Sequence, residues 1–184
     1  MSDFDFIADR PVLDFVATVA ERGTAGEEKL RRPRDLAVWA REAGIVDGPV
    51  KVTADQLAHA RAVREALFGL ITAAIDDRRP SRADRDLVNA AASGVAPTLN
   101  LTGAGTVARR GDIASVLAAL AQDGLDLYDS ADADSLRRCA DPHCTRVFLD
   151  RSRGGRRRWC GMKGCGDRAK AASYRQRMRD SEAG

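Results

Sequence analysis

The stretch CADPHCTRVFLDRSRGGRRRWCGMKGC, from Cys139 to Cys165, contains every cysteine of the 184-residue chain. Its pattern is C-x4-C-x15-C-x4-C. Two short-spaced pairs separated in this way suit a tetrahedral four-thiolate zinc site, in which each pair bends around one side of the ion. The x4 spacing is wider than the common x2, so a redox pair or an iron–sulfur cluster stays open as the other chemistry of four thiols. Two disulfides fit less well. The acidic start Met1-Ser2-Asp3-Phe4-Asp5 lacks the positive region and apolar core of an export signal, and reducing compartments disfavour structural disulfides. The expected cofactor is one structural Zn2+ held by Cys139, Cys144, Cys160 and Cys165, with His143 as the alternative donor.

The residues between the pairs support a closed site. Asp141-Pro142-His143 makes a first knuckle, and residues 146–149 read as a short strand. Residues 150–155 supply turn formers, and residues 156–159 return as a second strand that delivers Cys160. Residues 166–180 contain no Gly or Pro after the first, so they read as a helix. Knuckle, hairpin and helix is the order of a treble-clef-like finger, with Phe148 and Trp159 expected around the metal. A module this small cannot be held by its own apolar residues. Zinc has to supply the difference, on the order of 10–16 kcal/mol for structural fingers.

Charge divides at the same place. Residues 1–135 hold 16 Lys+Arg against 22 Asp+Glu, a net of −6, whereas residues 136–180 hold 14 against 4, a net of +10. The formal +3 of the whole chain is therefore a cancellation between an acidic body and a basic tail, an asymmetry that points to a polyanion. The expected division is 1–135 for the body and 136–184 for the finger, the finger docking on the body because no linker separates them.

The body reads as mainly α. Leu13, Val16, Ala17 and Ala20 have helical spacing over residues 11–21, ending before Gly23, and a polar connection runs from Arg22 to Arg34. Leu36 and Trp39 share a face of a short helix stopped by Gly44. Thr53-x-x-Gln56 is a capping box opening the longest helix, and Ser81-x-x-Asp84 opens another. Arg64 interrupts the apolar stripe of the longest helix and is expected to pair with a carboxylate such as Asp14. Residues 98–102 and 106–109 read as a small β-hairpin. Asp112 starts a helix expected to break near Gly124, and residues 132–138 are expected to run helical into the first knuckle.

Here the residues carry a family resemblance. Cys139-x4-Cys144, Phe148-x-Asp150-x-Ser152-Arg153, Arg156-Arg157-Arg158-Trp159-Cys160 and Cys165-Gly166-Asp167-Arg168-x-Lys170, with Tyr174 and Arg177, resemble the CGNR zinc finger. Leu13-Asp14-Phe15-Val16-Ala17-Thr18, Asp35-Leu36-x-x-Trp39 and Leu57 through Arg64-Glu65-Ala66 are similar to the ABATE domain, which precedes that finger in bacterial proteins described as stress-induced transcription regulators. The resemblance implies zinc, DNA contact and regulation of transcription. Two positions depart from it: Asp167 replaces the namesake Asn, and Ala17 replaces the Asn of the first segment. Asp167 suits the helix dipole but is mildly unfavourable beside a phosphate.

The expected partner is DNA, met through phosphates by Arg153, Arg156, Arg157, Arg158, Arg168, Lys170, Arg175, Arg177 and Arg179. Of these, Arg168, Arg175 and Arg179 share one helix face. A zinc-stabilised protein-interaction module and a thiol redox switch are the alternatives. A small ligand of the body and a second copy of the chain are further candidate partners. Catalysis is not expected: His59 and His143 stand far apart, no nucleophile set or nucleotide motif is present, and a metal held by four thiolates has no open position for water. With no run long enough to span a membrane, the expected location is the cytoplasm.

Overall fold

Thr53 and Gln56 start the helix around which the body is built. In the computed structural model, which describes residues 4–22 and 26–182, the Thr53 hydroxyl accepts the Gln56 N–H while the Gln56 side chain accepts the Thr53 N–H. The helix α3 then runs Ala54–Ile75 and buries Leu57, Ala60, Val63, Leu67, Leu70 and Ile71. Around it pack α1 (Pro11–Val16), α2 (Pro33–Glu42), α4 (Arg82–Ala92) and α5 (Ile113–Tyr128). Ser81 caps α4 and Asp112 caps α5, each accepting a backbone N–H three residues on. Trp39, Phe15 and Leu13 are fully buried where α1 and α2 meet. Strands are short antiparallel pairs: β1 (Val19–Ala20) with β2 (Glu27–Glu28), β3 (Thr98–Leu101) with β4 (Val107–Arg110), and β5 (Leu136–Arg138) with β6 (Val147–Leu149). The chain is mainly α with small hairpins, as its patterning implies.

Four local expectations are corrected. The first helix stops at Val16, not near residue 21. There the buried Thr18 hydroxyl donates to the Phe15 carbonyl at 2.7 Å and the chain turns into β1; Gly23 lies outside the described residues. Arg64 does not meet Asp14. Its guanidinium, 3% exposed, makes a two-pronged bond to Glu28 at 2.7 and 2.8 Å and also binds Thr18 and Glu65, joining α3 to the turn after α1 and to β2. Helix α5 does not break at Gly124. A Cβ there would lie 2.6 Å from Leu67 Cδ2, so the glycine lets α5 approach α3 closely. Residues 131–135 form a single 3-10 turn, after which the chain extends into β5 and does not continue helical.

Asp14 ties the chain's first described residues to this body. Its Oδ1 accepts the N–H groups of Ile7 at 3.0 Å and Ala8 at 3.1 Å. Burial pushes the Asp14 carboxyl up to about 6 from 3.8, against the pull of those two hydrogen bonds. Because the folded value is the higher one, protonation favours the fold. The contribution is complete below about pH 4 and is lost as pH rises through about 6. Asp14→Asn keeps an acceptor oxygen but cannot ionise, so on going from about pH 4 to about pH 7 it should gain about 2–3 kcal/mol relative to the wild type. The difference between the two proteins' denaturant midpoints reads this directly, and a difference that stays constant with pH would refute it.

Candidate metal centre and basic surface

The finger starts from β5, not from the hairpin expected between residues 146–149 and 156–159. β6 pairs with β5, Leu136 opposite Leu149 and Arg138 opposite Val147. Leu136, Val147 and Leu149 thereby enter the body's core, which leaves residues 150–157 free to form a loop. Asp150, 6% exposed, organises that loop: its two oxygens accept the Ser152 N–H and hydroxyl and the Arg157 N–H. The hydrogen bonds from Ser152 hold its carboxyl below the usual range. The Arg158 carbonyl accepts the Ala140 N–H at 2.8 Å, which ties the end of that loop to the first knuckle.

Two knuckles bring the thiols together. In the first, Asp141 accepts the His143 N–H on its side chain and the Cys144 N–H on its carbonyl. In the second, Gly164 adopts φ +90° in the turn Met162–Gly166, a conformation that disfavours any residue with a Cβ. The ligand atoms of Cys139, Cys144, Cys160 and Cys165 all lie within 4.8 Å of one another. The Cys144–Cys160 and Cys160–Cys165 sulfur separations are both 3.8 Å. Tetrahedral zinc with bonds of about 2.3 Å requires sulfurs about 3.8 Å apart, so the donor set and its spacing fit one structural zinc ion. His143 is exposed and outside the cluster. Phe148 and Trp159 pack against the cysteines, as expected.

Without a cation these thiols could not all ionise. Burial, with the neighbouring Cys144, pushes the Cys165 thiol up to about 12, while the hydrogen bond with Cys144 and burial push Cys160 up as well. A dication reverses this, and its thiolates are further compensated by Arg168, which donates to Cys165 Sγ at 3.1 Å and to Asp141 at 2.9 Å. Burial opposes ionisation of Asp141, yet Arg168 and the His143 N–H keep its carboxyl below the usual range. The Arg157 guanidinium lies 4.4 Å over the Phe148 ring and donates to the Trp159 and Cys160 carbonyls. Half-buried Arg157 and exposed Arg168 thus both bind groups around the metal centre, roles that the sequence does not reveal.

The remaining candidates face outward. Arg153, Arg156, Arg158, Lys170, Arg175, Arg177 and Arg179 are exposed, and among the described residues none has a carboxylate within 4.0 Å. Arg158 sits 5.1 Å over Trp159, and Arg179 donates to Gln176. Arg158, Lys170, Arg175 and Arg177 border a groove of about 870 Å³ between the first knuckle and α6 (Asp167–Glu182). A second cleft, of about 540 Å³, lies where the body meets the finger and is lined by Asp5, Lys29, Arg146 and the half-buried Cys144. Arg168→Gln should weaken zinc retention by about tenfold, as loss of an outer-shell partner typically does. Zinc transfer to a chromogenic chelator measures it, and unchanged transfer would show that Arg168 does not support the centre.

Comparison with known families bears on this architecture. The CGNR zinc finger matches residues 135–178, and the family described as "ABATE: Putative stress-induced transcription regulator" matches residues 9–131. No curated protein matches the chain. Neither description is that of an enzyme, and no helix among the described residues is long and apolar enough to cross a membrane. The four-thiolate centre, the helical body and the two matches in this order place the chain in the ABATE family, with a C-terminal CGNR zinc finger.

Proposed function

We propose that this protein is a DNA-binding regulator in which zinc shapes the finger and the finger's basic surface meets phosphates. The observation that carries this is the gathering of cations on the finger, a net of +10 over residues 136–180 against −6 over residues 1–135. On the body, Arg10 binds Asp123 and Asp126, Arg22 binds Glu65, Arg61 and Arg64 bind Glu28, and Arg82 binds Asp86. On the finger, Arg153, Arg156, Arg158, Lys170, Arg175, Arg177 and Arg179 face solvent with no carboxylate partner among the described residues. Unneutralised cations gathered on one module create a local positive field although the chain is almost neutral.

The two matched regions, 9–131 and 135–178, support a division of labour. The body, residues 1–135, senses the stress signal, and the cleft of about 540 Å³ at the body–finger boundary is where a small ligand would influence the finger. Contacts with phosphate carry no sequence information, so they set affinity and register.

Seven phosphate contacts would give a slope of about −6 in log affinity against log salt. Duplex binding by the zinc-loaded chain should show such a slope in a salt titration, and Arg158→Gln or Lys170→Gln should each lower it by about 1. Chelated protein should not bind. Absence of duplex binding at low salt with zinc present would reject the proposal in favour of an interaction module for an acidic protein.

A further inference from the structure

Helix α6 stands away from the rest of the chain. Residues 170–181 are all exposed, and the helix packs chiefly on the turn that carries Cys165. Ala171, Tyr174 and Met178 recur at three- and four-residue intervals and form one stripe, with Tyr174 58% and Met178 44% exposed. Cations border the stripe on both sides, Arg175 and Arg179 along one flank and Lys170 and Arg177 along the other. Asp167 lies at the head of the stripe and faces the same way.

We propose that α6 enters the major groove of duplex DNA with Ala171, Tyr174 and Met178 against the base edges, where they meet thymine methyl groups; the inference rests on the DNA reading above. A helix with its side chains is about 10–12 Å across and the groove about 12 Å wide, so a seated helix has one phosphate strand on each side. Cations on both flanks match that arrangement. A helix resting on a single strand would need only one. Apolar side chains at the groove floor find their partner in the thymine methyl. Asp167 agrees with this orientation, since a carboxylate facing bases can accept from a cytosine amino group, whereas one facing the backbone would be repelled. A second copy is the poorer occupant, because pairing two stripes would bring like-charged flanks together.

The test uses the zinc-loaded full chain and two probes: an alternating dA–dT duplex, and the same duplex with dU for every dT, which lacks only the methyl groups. Fluorescence anisotropy should show the dT duplex bound about fivefold more tightly. Tyr174→Ala with Met178→Ala should abolish that preference and leave the salt slope intact. Arg175→Gln with Arg179→Gln should keep the preference and lower the slope by about 2. Both pairs are exposed, so folding is preserved. Equal affinity for the two duplexes with a normal salt slope would overturn groove insertion alone and leave the stripe to an acidic protein. No binding to either duplex at low salt would overturn both readings. A wild-type dimer dissolved by the stripe variant, with duplex preference unchanged, would assign the stripe to a second copy and overturn the inference.

Discussion

Four thiolates held about one van der Waals contact apart repel one another, and only a cation at their centre lets them coexist. This constraint governs the C-terminal quarter of the chain. The cluster gathered around Phe148 and the cysteines is small, with Trp159 only partly buried against it, and could not fix the knuckles by apolar burial alone. Zinc binding therefore coincides with folding of the finger. The arginines placed around the centre act in the same sense. Arg168 compensates Cys165, and Arg157 closes over Phe148, so part of the positive charge in this segment serves the metal.

The finger is joined to the body by apolar packing as well as by ion pairs. Leu136, Val147 and Leu149 are buried in the same core as α3 and α5, and Asp150 N–H donates to the Ser135 carbonyl at 2.8 Å. Arg138 binds Asp76 at the end of α3, Arg151 binds Asp132, and Arg146 binds Asp5 of the segment that Asp14 pins to α1. The exposed Arg138–Asp76 and Arg151–Asp132 pairs each contribute little, about 0–1 kcal/mol, so they orient the finger more than they stabilise it. Apolar burial of β5 and β6 supplies the stability. A change in the body's packing beneath β5 would consequently be felt one hydrogen bond away from Cys139, whose N–H donates to the Arg146 carbonyl.

The sequence was legible where local chemistry dictates the outcome and silent where distant packing does. Cysteine spacing, the Thr53–Gln56 box, the caps at Ser81 and Asp112 and the hairpin of β3 with β4 all depend on residues close together in the chain. The partner of β6 does not. Its three residues have no usable period, and they pair with β5 because Leu136 and Leu149 can then both reach the body's core. Gly124 reads as a helix breaker until Leu67 is seen against it. Arg64 offered no sign of its partner, because Glu28 arrives from a strand of two residues. The arginines of the finger look alike in sequence, and only their surroundings separate Arg157 and Arg168, which hydrogen-bond to groups around the metal centre, from those that do not.

That separation bears on why the last helix can exist without packing. Isolated helices of this length are marginal in water, and α6 has little apolar burial to support it. Its stability comes from its start: Asp167 places a negative charge on the first turn, and the turn of Cys165 is fixed by the metal, so the costly nucleation step is already complete. From there Ala, Arg, Lys, Gln and Met residues propagate the helix well. A helix nucleated by zinc and propagated by propensity does not need to bury its side chains to fold. Its apolar stripe and both basic flanks are left exposed, which is the condition under which a surface can be shaped by a partner in place of a core.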